Sequence, residues 1–210
     1  MLTQRSIAAL LGAGGLLMAV GGHLHPRGSG ATVDEHLASM FANPTWFVAH
    51  VTSLAGVVVA ITGFVAARRT GVFGPHVTAW LPLPIVGWSL AAVELVPHLL
   101  AAGDHHHLVS GGPTPLLDLH QILQTIATPA LGITGSGTAI AVAHAAGTRP
   151  AWILGVVGAV GGLAYAAAGP LIALTASVAV SGLFAAQAGL AIWLLGTAAR
   201  LVADRQRALV

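Results

Sequence analysis

His50, Glu94, His98 and His120 are the residues of this chain whose types and spacing could do chemistry together. Neutral imidazole nitrogens bind zinc, copper, iron or nickel, and a carboxylate adds compensating charge. Glu94 and His98 stand four residues apart, so they face the same way on a helix. His120, Gln121, Gln124 and Thr128 share one arc of about 100° on another helix, with Asp118 at its flank. Asp118, Gln121 and Gln124 would then stand behind the imidazoles and orient their N–H groups. All of these residues fall in or beside apolar runs. There a carboxylate is costly unless it is protonated, paired or bound to a cation. The pattern points to a transition-metal ion (Cu, Fe or Zn) held by His50, Glu94, His98 and His120. A buried structural pair between Glu94 and a histidine, or a proton relay, is the plainer alternative.

A looser set surrounds this layer: His23, His25, His36, Asp104, His105, His106 and His107. It could be an outer capture funnel for metal, a second site, or a pH-sensitive gate. The alternative is that these residues are solvated and idle. His76 and His144 stand alone at the opposite ends of their helices and read as solvated. Nine of the eleven histidines and five of the six carboxylates thus sort to one end of the molecule.

The elements that must position these groups are membrane-spanning helices. The chain of 210 residues is 56% hydrophobic and 7% charged, too few charges to cover a soluble domain. A helix needs about 20 apolar residues to cross a hydrocarbon core of roughly 30 Å. Six such runs are expected, at about 6–22, 44–67, 77–102, 115–145, 151–175 and 177–199. The fold class is therefore an all-α integral membrane protein, one transmembrane domain over 1–210, built as a six-helix bundle. His50, Glu94 and His120 each lie about five or six residues in from the same end of a helix, a shared depth of about 8–10 Å. His50 and His120 should therefore approach one another or a common ion.

Helix starts are marked by Asn43-Pro44 and Thr114-Pro115, a capping residue followed by proline. The segment 32–41 puts Val33, Leu37, Met40 and Phe41 on one face and Asp34, Glu35 and Ser39 on the other. It reads as a short external amphipathic helix lying in the interface like a lid. The first run resembles a signal peptide in its Arg5 and apolar stretch. It ends in His23-Leu24-His25-Pro26 rather than a small-residue cleavage site, and is expected to be retained. Arg5, Arg68, Arg69, Arg149, Arg200, Arg205 and Arg207 fall on one side and Arg27 on the other. The positive-inside rule then makes both termini cytoplasmic and turns the histidine end outward. Gly/Ala/Val/Arg-rich composition suggests a bacterial cytoplasmic membrane.

Gly158 with Gly162, and Gly182, Gly189 and Gly196 at seven-residue spacing, let helices 5 and 6 pack closely. The same faces could pair copies into a homo-oligomer, or line a lipid or quinone groove. The chain has no cysteine and no lysine, so disulfides, thiolate ligands and a retinal Schiff base are excluded. The basic pI of about 10.5 rests on unclustered arginines and implies no nucleic acid. Gly132, Gly135 and Gly137 sit inside an apolar run and are no nucleotide fingerprint.

The Glu94-x-x-x-His98 … His120 set is loosely similar to the carboxylate-plus-two-His metal sites of copper membrane monooxygenase subunits, over these three residues. Three functions are expected from the residues. The first is a metal-dependent membrane oxidoreductase acting on a small or lipophilic substrate that enters from the membrane lipid. The second is a b-type cytochrome exchanging electrons with quinone, with His50 and His120 as axial ligands of haem b. The third is a transition-metal transporter. The inner halves of the spans argue against it, because they offer only Thr and Ser as polar groups.

Overall fold

The computed structural model describes residues 3–207, and every regular element among them is helical. Helix α1 covers Gln4–Leu24, α2 Val33–Phe41, α3 Trp46–Thr70, α4 Pro75–Trp80 and α5 Pro82–Leu100. A 3-10 turn over Ala101–Asp104 leads into α6, His105–Ser110. Helices α7 (Pro115–Ala146) and α8 (Arg149–Thr175) follow. A second 3-10 stretch, Val178–Ala186, precedes α9, Gln187–Arg207. Six helical runs are long and apolar enough to cross a membrane. Their outward faces carry large apolar residues such as Phe47, Val58, Val86, Val93, Val160 and Leu163, all exposed.

The six long helices form a closed ring in chain order. Helix α1 packs on α3, α3 on α5, α5 on α7, α7 on α8, α8 on α9, and α9 returns to α1. Two glycine contacts set the close passes. A Cβ on Gly132 would run into the Gly162 carbonyl, so glycine there lets α7 pass close to α8. A Cβ on Gly161 would lie 2.7 Å from the Gly189 Cα, tying α8 to α9. Of the glycines picked out by spacing, Gly158 meets Trp193, Gly196 meets Leu154, and Gly182 meets nothing within 4 Å. Side chains fill the middle of the ring. Phe64 stands edge-on to Trp88, with ring centroids 5.1 Å apart, and stacks on Trp193 at 6.3 Å. All three are essentially dry, as are Leu131, Leu190 and Leu194.

Three local differences from the expected spans have plain causes. The third run breaks at Leu81, because Pro82 and Pro84 carry no N–H and cannot continue the ladder of α4. The 103–114 stretch is not an open loop. It folds as the 3-10 turn and α6, and ends at Gly111, whose φ of 73° suits glycine. The last run enters through the 3-10 stretch before α9 begins. Helix α2 has a full capping box: Glu35 N donates to Thr32 Oγ1, and Thr32 N donates to the Glu35 carboxylate. Backbone N–H donors at Ala31 and Thr32 hold the Glu35 carboxyl below its ordinary pKa. Phe41, with Leu37 and Met40, packs on Trp46, Ala101, Leu117 and Leu108, so α2 covers one end of the ring.

That end is the histidine end. It gathers the C-terminus of α1, the start of α3, the C-terminus of α5 and the start of α7. The opposite end carries exposed Arg68, Arg69 and Arg149, and exposed His76 and His144. The side chains of Arg205 and Arg207 lie outside the described residues.

Candidate metal centre

Four imidazoles run in a file across the covered end. The His25 and His50 ring centroids are 4.8 Å apart, His50 and His98 4.4 Å, and His98 and His120 3.9 Å. Four different helices supply them. His25 caps the C-terminus of α1, His50 lies one turn into α3, His98 is in the last turn of α5, and His120 is in the second turn of α7. The file ends at Glu94, one turn before His98 on α5. Trp46 forms a wall beside it, 3.9 Å from His50 and 5.2 Å from His98. The indole is fixed by its Nε1–H, which donates to the Leu99 carbonyl at 3.1 Å.

The hydrogen bonds choose the tautomers. His50 Nδ1 lies 2.6 Å from the Trp46 carbonyl. A carbonyl only accepts, so Nδ1 carries the proton and Nε2 keeps the lone pair. That Nε2 is buried and has no hydrogen-bond partner. His25 repeats the arrangement, with its Nδ1–H on the Pro26 carbonyl at 3.0 Å. His120 Nδ1 meets Glu94 Oε1 at 2.5 Å, and His98 Nδ1 lies 3.5 Å from the same oxygen. Metal-binding histidines almost always tie one ring N–H to a carbonyl or carboxylate and present the other nitrogen to the ion. A buried lone pair with nothing to accept from is costly in any other role. Burial also holds the His25 imidazole below its ordinary pKa, partly offset by the Pro26 hydrogen bond, which keeps it neutral and able to ligate.

Two compact donor sets result. One ring nitrogen from each of His25, His50 and His98 lies within 4.8 Å of the others. The same holds for donor atoms of Glu94, His98 and His120. His98 belongs to both. This differs from a single set of His50, Glu94, His98 and His120: His50 stands between His25 and His98, one ring away from His120. His25, half-buried, stands in the file beside His50. Its signal in the sequence was its place at the end of an apolar run directly before Pro26, where α1 stops.

The other expected residues have different surroundings. Asp104 is buried and accepts from the Leu116 and Leu117 backbone N–H groups at 2.8 and 3.0 Å, capping the start of α7. Asp118 is exposed and accepts from Thr114 Oγ1, and Gln121 is exposed. Among the described residues, none of Asp118, Gln121 and Gln124 hydrogen-bonds an imidazole of the file. Of the polar arc read on this helix, His120 and Thr128 are buried, Gln124 is half-buried and Gln121 faces out. His23, His106 and His107 are exposed, and His105 is half-buried on α6. His36, on α2, is half-buried, with an unpartnered Nδ1.

Comparison with known proteins gives no assignment: no protein-family model, curated protein or solved structure matches the chain significantly.

Proposed function

We propose that this chain is a multi-pass membrane protein that holds a transition-metal ion among His25, His50 and His98, at the end of the bundle covered by α2. The observation that carries this reading is His50: one nitrogen pinned on a carbonyl, the other buried and free. A donor set of neutral imidazoles leans towards copper, and a copper ion in a membrane protein suits oxidoreductase chemistry. The substrate would be small or lipophilic, since α2 and Trp46 shield the site from water and the bundle exposes apolar faces to lipid. The arginine bias turns this end outward, away from a bacterial cytoplasm, with α2 lying in the interface as an external lid. The whole chain acts as one transmembrane domain.

The same geometry weighs against the two other readings. The His98 ring lies between His50 and His120, which leaves no slot between them for a haem macrocycle. Below the site, Phe64, Trp88 and Trp193 close the ring interior, so a permeating ion would meet a dry aromatic plug.

Metal analysis of protein purified in detergent tests the reading. At least one copper or zinc ion per chain should survive passage over a weak chelating resin. His50→Leu should hold one ion fewer than the native protein, while His76→Ala, at the opposite end, should hold as many. A preparation that binds neither ion overturns the proposal, and a Soret band would favour the cytochrome.

A further inference from the structure

We propose that the site holds two transition-metal ions at once, one on each side of the His98 imidazole, which both ions share as a ligand. This rests on the metal reading above and adds a second position, formed by Glu94, His98 and His120. His98 has neighbours of the right kind on both sides: His50 at 4.4 Å and, beyond it, His25 on one; His120 at 3.9 Å and Glu94 on the other.

The distances fit this division. Two donors about 2.1 Å from a tetrahedral ion sit about 3.4 Å apart. His98 Nδ1 and Glu94 Oε1 are 3.5 Å apart, the spacing of two ligands of one ion rather than of a good hydrogen bond. With Nδ1 turned to Glu94, the remaining His98 nitrogen serves the His25 and His50 side. An imidazole that binds through both nitrogens spaces its two ions about 6 Å apart, given metal–nitrogen bonds near 2.0–2.1 Å.

The charges and protons also balance. The contact between His120 Nδ1 and Glu94 Oε1, at 2.5 Å, shares a proton. An ion at the inner position replaces that proton, and the contact opens to ligand spacing. Bridging removes the N–H proton of His98. Of the three inner donors His98 is the least buried, at 17% against 4% for Glu94 and 5% for His120, and both protons leave on its side. The Glu94 carboxylate and the His98 imidazolate then offset part of the charge of two dications. A carboxylate belongs at the deeper position, where a bare cation is most costly.

The test is a count of ions per chain. Half-buried His105 and exposed His106 and His107 would bind copper loosely, so the parent carries His105→Asn, His106→Asn and His107→Asn. It is saturated with copper(II) chloride in detergent, cleared of weakly held ion by a chelating resin, and assayed for copper and by electron paramagnetic resonance. Two ions per chain are expected, with an exchange-coupled signal well below the copper content. Glu94→Gln and His50→Leu should each leave one ion, and an ordinary isolated copper(II) signal accounting for all of it. One ion in the parent overturns this inference and leaves the single-ion reading standing. None overturns both. Two ions retained in Glu94→Gln also overturn the inference, because the inner position cannot then depend on its carboxylate.

Discussion

The two halves of the ring fill the same kind of space in opposite ways. In one half, Phe64, Trp88 and Trp193 interlock at centroid distances of 5.1 and 6.3 Å, and neighbouring leucines complete a dry core. In the other, four imidazoles and a carboxylate occupy the interior; His50, His120 and Glu94 are nearly as buried, at 2%, 4% and 3% exposure, and His25 and His98 are half-buried. The aromatic half gains from burial, although the Trp88 indole N–H is left without a partner. The imidazole half must recover the desolvation cost of many more polar atoms through partners. Carbonyls and Glu94 satisfy the Nδ1 side of His25, His50 and His120, whereas His50 Nε2 is left free. The first half thus reads as a stabilising plug and the second as a candidate site whose rings are held on one side and open on the other at His50.

The largest expected effect is all-or-none and concerns which half faces outward. The chain has no native cysteine, so a single introduced thiol reports without background. A membrane-impermeant maleimide on intact cells should label His106→Cys, beside the histidine file, and fail to label Thr148→Cys, at the arginine end. The reverse pattern would place the histidine end on the cytoplasmic side.

Next in size is the plug. Phe64→Ala should destabilise the protein by about 3–5 kcal/mol, the usual cost of deleting a buried aromatic side chain. His50→Leu, which removes a polar group and keeps similar bulk, should cost much less. Thermal unfolding in detergent, without added metal, compares the two. If His50→Leu proves as damaging as Phe64→Ala, the imidazole half is a stabilising core in its own right, and the contrast fails.

The smallest effect concerns the cover. Thr32→Ala removes the N-cap acceptor of α2 and should cost that helix about 0.5–2 kcal/mol. Its outcome should appear as faster hydrogen exchange across Val33–Phe41, with the six long helices unchanged. Uniformly faster exchange in all helices would show that α2 is part of the main core and not a cover on one end.

Much of this was legible in the sequence, for reasons that differ by residue. Apolar run length marks the long helices, because length and hydropathy are properties of each segment alone. Glu94 and His98 could be paired on paper, because four residues always bring side chains to one helix face. His120 was placed with them by depth, which works when helices are antiparallel neighbours. The grouping of His25 with His50 was hidden. It depends on where α1 ends and on the carbonyls of Pro26 and Trp46 that fix the two rings, and backbone acceptors leave no trace in side-chain type. Asp104 has a capping role that was hidden for a related reason. A carboxylate beside three histidines looks like a ligand, yet the start of α7 claims it through two backbone N–H groups.

The closure of the ring bears on how the chain is put together. Each long helix meets its successor in the chain, so five of the six joints can form as hairpins while the chain is still being made. The joint between α1 and α9 cannot, because its partners are furthest apart in sequence; at one point it is held by Gln4 Nε2 donating to the Leu201 carbonyl at 2.8 Å. Until that seam closes, the ring of helices is an open arc with a gap in its side. Moving the seam, by joining α9 to α1 with a short linker and opening the chain at Gly147, would give the same ring a different last step.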